Sequence, residues 1–377
     1  MSDTVNILIG GDICPGPLTE RAFTDGRVGA IFSDLMPFFE TADLRIVNIE
    51  APLTDGNLGI LKTGPCLKVS PQCVKGLLQL GVNVAGLGNN HILDYGTTGL
   101  MDTVRICKNN GVDVVGAGKD EIKAAEFIIR EINGIRIAIA AFADREWSIA
   151  DAETPGAAAF DPIDFVRLKR KHAGAFDYLI VLLHMGNEHY PLPSPSLRKI
   201  CHFLIEEGGS LVVCQHSHCV GAREKYLNGE IFYGQGNLVF DRANSVPSTW
   251  LQGFLILASF SKSEAMQTQT IPFEMDSATG VLHQLRGKDE REMIENIERC
   301  SREVIDEDVL AGKWQLFCLG KKAEYFSYLI GLGRLGRRLE RVLPVLSWWY
   351  RPAKRRLLLN CMRCQAHRDV LMSLLDK

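Results

Sequence analysis

Three histidines close two apolar runs in this chain, and imidazoles so placed point to a bound metal. Tyr178-Leu179-Ile180-Val181-Leu182-Leu183 leads into His184-Met185-Gly186-Asn187-Glu188, and Ser210-Leu211-Val212-Val213-Cys214 leads into Gln215-His216-Ser217-His218. Each run is short and partly β-branched, so it reads as a buried strand. In parallel α/β sheets, ligand groups gather where strands end. Other strand-like runs deliver polar groups in the same way. Asn6 to Asp12 ends in Gly-Gly-Asp, and Leu44 to Glu50 carries Asn48 and Glu50 on one face. Val82 to His91 ends in Asn89-Asn90-His91, with Asp94 three residues on. Taken singly, Asp12 is as readily a cap of the segment after it, Glu50 a solvated loop charge, and Asn89-Asn90-His91 a turn before a helix near Thr97 or Thr98. Five strand ends in a row carrying such residues favour a ligand site.

The collected set is Asp12, Glu50, Asn90, His91, His184, His216 and His218. Carboxylate, amide and imidazole together suit Mn, Fe or Zn better than Mg or Ca, as one or two ions. Two such ions, about 3.5–4 Å apart, activate water and grip a phosphate. His91 with Asp94 is an imidazole–carboxylate pair able to carry a proton. His216 and His218 reach one centre only if the turn between them allows it. Glu146 stands at a strand end, facing either the site or water. Other chemistries lack their residues: there is no G-x-S-x-G elbow, no Walker loop and no H-E-x-x-H helix. Cys214 reads as a small core hydrophobe rather than a nucleophile. Gly234-Gln235-Gly236 does not open a helix, and Cys361-x-x-Cys364 with His367 is half a zinc pattern.

The elements positioning these groups are βα units plus an antiparallel pair. Helices are expected from Pro71 to Leu80 and from Pro162 to His172, and another after the Pro-rich loop Tyr190 to Pro195. Asn133-Gly134 and Asn228-Gly229 are hairpin turns. Leu251 to Phe260 reads as the last long strand, and Asp289 to Val304 as a polar helix. The composition shifts beyond about Ser261, and the chain is expected to divide into an α/β domain over 1–290 and a basic helical extension over 291–377.

With 377 residues, 46% hydrophobic and 23% charged, the chain has the composition of a soluble globular protein. A net charge of −3 gives no nucleic-acid signal. The charge is uneven: Gly331 to Lys377 carries eleven Lys+Arg and three Asp+Glu, a balance of +8, which leaves −11 on the rest. Such a basic segment with Trp348 and Trp349 is either a peripheral contact to an anionic surface or a helical appendage packed on the sheet domain with its arginines in water. Eleven scattered cysteines read as reduced thiols of a cytoplasmic protein. No secretory leader is expected, and no apolar run reaches the length of a membrane span.

In order and spacing, these motifs resemble the CapA family, named for poly-gamma-glutamate capsule biosynthesis, over about Asn6 to Phe260. The resemblance is carried by Gly11-Asp12, Asn48-Ile49-Glu50-Ala51-Pro52-Leu53-Thr54, Asn89-Asn90-His91-Ile92-Leu93-Asp94-Tyr95-Gly96, His184-Met185-Gly186-Asn187-Glu188, His216-Ser217-His218 and Gly236-Asn237-Leu238-Val239-Phe240-Asp241. It implies a metallophosphatase-like α/β/β/α sandwich of the calcineurin-like superfamily. Asp12, Glu50, Asn90, His184, His216 and His218 would then be metal ligands. His91 and Asp94 would be the proton-transfer pair, and Asn48, Lys62, Glu146, Glu188 and Asn237 would line the pocket. Cys14 stands where metallophosphoesterases usually carry a histidine, and Asn48 with Glu50 replaces their bridging aspartate. The expected function is metal-dependent hydrolysis of a phosphoester or an anionic, capsule-type polymer intermediate. The alternatives are acid/base chemistry on a peptide, such as epimerisation, and a non-catalytic accessory of polymer assembly.

Overall fold

The computed structural model describes residues 4–242, 246–329, 331–333, 335–336, 338 and 350–375. Arg334, Arg337, Arg341, Trp348 and Trp349 of the basic segment lie outside the described residues. Two compact units are present, Met1–Leu310 and Ala311–Lys377. The expected domain boundary at 290 lies within the helix Gly287–Ile305 of the first unit. That helix belongs to the first unit because Met293 and Ile297 enter its core.

The first unit is built on two mixed sheets. In the larger, strands run in the order Leu282–Gln284, Gln267–Met275, Gln252–Ser261, Thr4–Cys14, Leu44–Ile49, Val84–Gly86 and Asp113–Val115. The last four are mutually parallel, and Gln252–Ser261 is antiparallel to Thr4–Cys14. In the smaller, the order is Arg223–Tyr226, Gly229–Phe232, Leu211–Gln215, Tyr178–His184, Ile135–Ala143 and Ile128–Ile132. Its centre is parallel, and both expected hairpins form its antiparallel edges.

Side-chain alternation sorts the layers. Ile7, Ile9, Ile46 and Val84 face Ile137, Ile139, Ile180 and Val213 in a core between the sheets. The opposite face of the larger sheet, with Leu8, Val47 and Ala85, is covered by Phe23, Phe32, Leu77 and Leu100 from helices. The outer face of the smaller sheet packs Phe142 edge-on to Phe160 and Phe165. Phe165 lies on the helix Pro162–Lys171, which Asp161 caps by accepting from the amides of Ile163 and Asp164. The architecture is therefore an α/β/β/α sandwich, as the resemblance implies. Each fully buried branched side chain in the middle layer is worth roughly 1.5–3 kcal/mol.

One expectation is corrected. The strand at 252–261 is not the last, because Gln267–Met275 and Leu282–Gln284 extend the sheet beyond it. Gln267-Thr268-Gln269-Thr270 is largely solvent-facing and Pro272 interrupts the run, so the segment carries little hydrophobic pattern. Among the described residues, no helix is long and apolar enough to cross a membrane.

Candidate functional site

The C-terminal ends of strands from both sheets meet at one place. Thr4–Cys14 changes neighbours there: Thr4 to Ile9 pairs with 256–261, and Asp12 pairs with Asn237 before the register shifts at Ile13. Gly11 permits this switch, since a Cβ on it would lie 2.3 Å from the carbonyl oxygen of Gly236. The residue after the Leu44–Ile49 strand is Glu50, and Tyr178–His184 ends on its histidine. His216 and His218 follow Leu211–Gln215 with φ of 82° and 50°. These left-handed conformations are costly for residues with a Cβ. They supply the turn that lets both imidazoles face the same centre.

Acceptor atoms crowd together there. His184 Nε2 lies 3.1 Å from Asn90 Oδ1, 3.2 Å from His216 Nδ1 and 3.4 Å from Glu50 Oε1. His218 Nε2 is 3.6 Å from Glu50 Oε1, and its Nδ1 is 3.7 Å from Asp12 Oδ2. Two groups of three have ligand atoms within 4.8 Å of one another: Glu50, His184 and His216, and Asp12, Glu50 and His218. Glu50 belongs to both. It is fully buried, yet neither carboxylate oxygen has a hydrogen-bond partner, an arrangement that costs several kcal/mol unless a cation compensates it.

The electrostatics follow from burial. Desolvation pushes the Glu50 carboxyl up to about 8. It raises Asp12 well above the usual carboxylate range, and the neighbouring Glu50 charge adds to the effect. Burial lowers His184 and His216 to about 4 and His218 well below the ordinary histidine value. The imidazoles are therefore neutral lone-pair donors at neutral pH, which is the form a metal takes. Orphaned carboxylate oxygens, neutral imidazoles and an amide oxygen fit a transition-metal site. Burial, with Glu50's charge second, raises the Cys14 thiol well above its ordinary value, so it stays neutral and lies outside both groups.

A hydrogen-bonded group of His91, Asp94 and Lys62 lies near this centre. His91 Nδ1 lies 2.6 Å from Asp94 Oδ2 and 3.2 Å from Lys62 Nζ. Lys62 also donates to Asp94 Oδ1, and the Leu67 amide donates to Asp94 Oδ2 at 2.6 Å. The side chains of Lys62 and Asp94 are buried.

The expected pocket lining divides. Asn48 is buried and donates to Asp12 Oδ1 at 2.7 Å. Asn237 is buried between His218 Nδ1, at 2.8 Å from its Oδ1, and the Trp250 carbonyl, to which it donates at 2.9 Å. Lys62 is engaged by Asp94, so all three spend polar atoms on neighbouring side chains or backbone. Glu146 and Glu188 are exposed. Glu146 accepts from Asn90 Nδ2 at 3.0 Å, and the charge of Glu188 is felt at Glu50.

Sequence reasoning missed several participants. Asn89 donates to Asn48 Oδ1 and the Ile49 carbonyl, and accepts from the His91 amide, tying two strand ends together. Ser148 holds the Asn90 carbonyl. Trp250 packs on His218 at 4.3 Å between ring centroids. Asn89 carried a signal, standing beside Asn90 and His91; Ser148 and Trp250 carried none.

Residues 6–242 match the family model of the bacterial capsule synthesis protein PGA_cap. The chain is 29% identical over 241 residues to the capsule biosynthesis protein CapA of Bacillus anthracis, covering 62% of this chain and 59% of that one. It is 30% identical over 247 residues to the PGA biosynthesis protein CapA of Bacillus subtilis, covering 64% of each. The chain thus spans about three fifths of the length of these relatives. Among solved structures, a putative 5′-nucleotidase from Staphylococcus aureus is 12% identical with a TM-score of 0.43, covering 78% of this chain and 58% of that one. That likeness is too distant to bear on activity. The match over more than half its length shows that the chain belongs to the PGA_cap family of bacterial capsule synthesis proteins.

Proposed function

We propose that this chain is a metal-dependent hydrolase acting on a phosphoester or another anionic linkage formed during assembly of a capsule-type polymer. The reading is carried by Glu50, a buried carboxylate with both oxygens unpartnered and a place in both three-residue groups. Glu50, His184 and His216, with Asn90, would hold one cation, and Asp12, Glu50 and His218 a second. Mn, Fe or Zn suits this donor set. When bound, such ions supply Lewis acidity, polarising the oxygens of the scissile group and lowering the pKa of water.

The remaining work falls to the chain. Asn237 and Asn48 fix His218 and Asp12 by hydrogen bonds, which sets the geometry before any ligand arrives. Asp94 orients His91 through Nδ1, and Lys62 stands beside both. His91 then delivers a proton to the leaving oxygen. Family membership and the relatives' names support the polymer context.

Metal analysis and turnover test this reading together. Protein exposed to Mn or Zn should retain metal and cleave p-nitrophenyl phosphate or a phosphodiester, and His91→Ala should keep the metal while losing turnover about 10²–10⁴-fold. A chain that retains none of these metals would end the proposal. One observation favours a second reading: His91, Asp94 and Lys62 form one hydrogen-bonded group, a combination suited to proton transfer with or without a hydrolytic water. Deuterium uptake from D₂O into a peptide α-carbon, with no cleavage, would identify acid/base chemistry instead.

A further inference from the structure

Beside His218 lies a cation that the proposed reaction has not used. Arg242 is exposed, and its guanidinium carbon sits 4.3 Å from the Trp250 ring centroid and 5.0 Å from that of Phe240. Both rings also flank His218, Phe240 at 5.3 Å and Trp250 at 4.3 Å between centroids. His189 reaches the same indole, 5.7 Å away. Trp250 is itself fixed, because its indole N–H donates to the Phe240 carbonyl at 2.7 Å. The guanidinium therefore rests on a rigid aromatic shelf continuous with the centre's histidine wall.

What makes Arg242 unusual is the absence of a counter-charge. Its neighbour in sequence, Asp241, is committed elsewhere, accepting from the amides of Gly16 and Leu18 at 2.7 and 2.6 Å and from the Thr19 hydroxyl at 2.5 Å. Lys62 is bound to Asp94, and Arg145 pairs with Asp161 at 3.7 Å. Among the described residues, no carboxylate lies within ion-pair distance of Arg242. Its charge is nonetheless felt at Glu50, His218 and Cys14. An exposed cation stacked on an aromatic face keeps all its N–H donors free, in the planar fork that matches a carboxylate or phosphate.

We propose that Arg242, on the Trp250–Phe240 shelf, is the anion subsite of this centre, holding a carboxylate or phosphate of the substrate next to the reacting group. The assignment deepens the reading above, in which the substrate is anionic, and rests on it. Stacking positions the fork without tying up its hydrogen bonds, so the subsite is preorganised. It also balances a region otherwise rich in acid: Asp12, Glu50, Glu146 and Glu188.

The two sources of such an anion are separable with the metal-free full chain. Inorganic phosphate and glutarate are titrated against it, following tryptophan emission with Trp250→Phe as the control for the reporting residue, and calorimetry for the affinity. Arg242→Met should weaken whichever anion binds by about tenfold or more, the equivalent of one charge-assisted bidentate contact. Arg242→Lys should restore only part, since an ammonium lacks the fork. Binding of phosphate alone, or of glutarate alone, assigns the substrate's anchoring group, and binding of both supports a general oxyanion site. Manganese uptake, measured separately, should be unchanged in Arg242→Met. If neither anion binds, or Arg242→Met binds them as tightly as the parent chain, the subsite is overturned even where manganese uptake is intact. Loss of manganese uptake in the parent chain would instead overturn the metal reading.

Discussion

Glu50→Gln is the most informative single change, because opposite outcomes are expected with and without metal. In the metal-free protein, burial holds the Glu50 carboxyl at about 8 against 4.5 for an ordinary glutamate. The native state keeps the proton between those values while the unfolded chain releases it, so raising the pH through that window withdraws stability. Between pH 5.5 and 8.5 the withdrawal amounts to about 3 kcal/mol. Relief of Asp12, which the Glu50 charge also pushes up, acts in the same direction. Glutamine has nearly the same shape and no charge. Metal-free Glu50→Gln should therefore melt higher than the parent chain at pH 8.5, with the gap growing by roughly 5 °C from pH 5.5. With Mn or Zn present the order should invert, since the parent chain gains from ligand linkage and the variant loses a ligand shared by both groups. Differential scanning calorimetry at several pH values, with and without metal, reads both arms. A variant less stable than the parent at pH 8.5 without metal, or a gap indifferent to pH, would refute the claim that an uncompensated buried carboxylate sits here.

Further outcomes follow from the same geometry. Metal binding should release protons, because Glu50 holds one at pH 7 while His184 and His216, lowered to about 4, do not; calorimetry in two buffers of different ionisation enthalpy counts them, and zero release would contradict the assignment. Asn237→Leu should cost about 10–100-fold in metal affinity by freeing His218, with little change in fold by circular dichroism. Lys62→Met strands the buried Asp94 charge and should destabilise the protein by roughly 3–5 kcal/mol, readable by urea melts. Gly11→Ala places a methyl group against the Gly236 carbonyl and should weaken metal uptake and stability together; an Ala variant that binds metal normally would show that the strand switch tolerates a side chain.

The histidines and carboxylates were legible because each ends a run whose apolar character betrays a buried strand. Period and position brought Asp12, Glu50, Asn90, His91, His184, His216 and His218 onto one roster, the resemblance drew from it six expected ligands without His91, and those six lie side by side. What sequence could not convey is which atoms face which. Glu50 and Asn48 look alike at a strand tip, yet one is left without partners and the other is saturated. Asn237 and Lys62 were expected to line the pocket, but their partners, His218 with the Trp250 carbonyl and Asp94, were not readable from sequence. Arg242 was invisible, since an arginine after Phe-Asp in a loop acquires meaning only from the indole of Trp250 beneath it. The strands after Ser261 were missed for a different reason: with one edge in solvent and a proline inside, they carry almost no hydrophobic alternation.

The first strand imposes an order on assembly. Its partners at 237–240 and 252–261 are among the last parts of the sandwich to be synthesised, so on the ribosome Asp12 must wait, unpaired on that side, until they emerge. Capture of the proposed cation would then fall late in folding, since these non-local pairings must close first. A truncated or stalled product ending before Asn237 would carry all six proposed ligands, yet lack both of the segments that flank the first strand on that side.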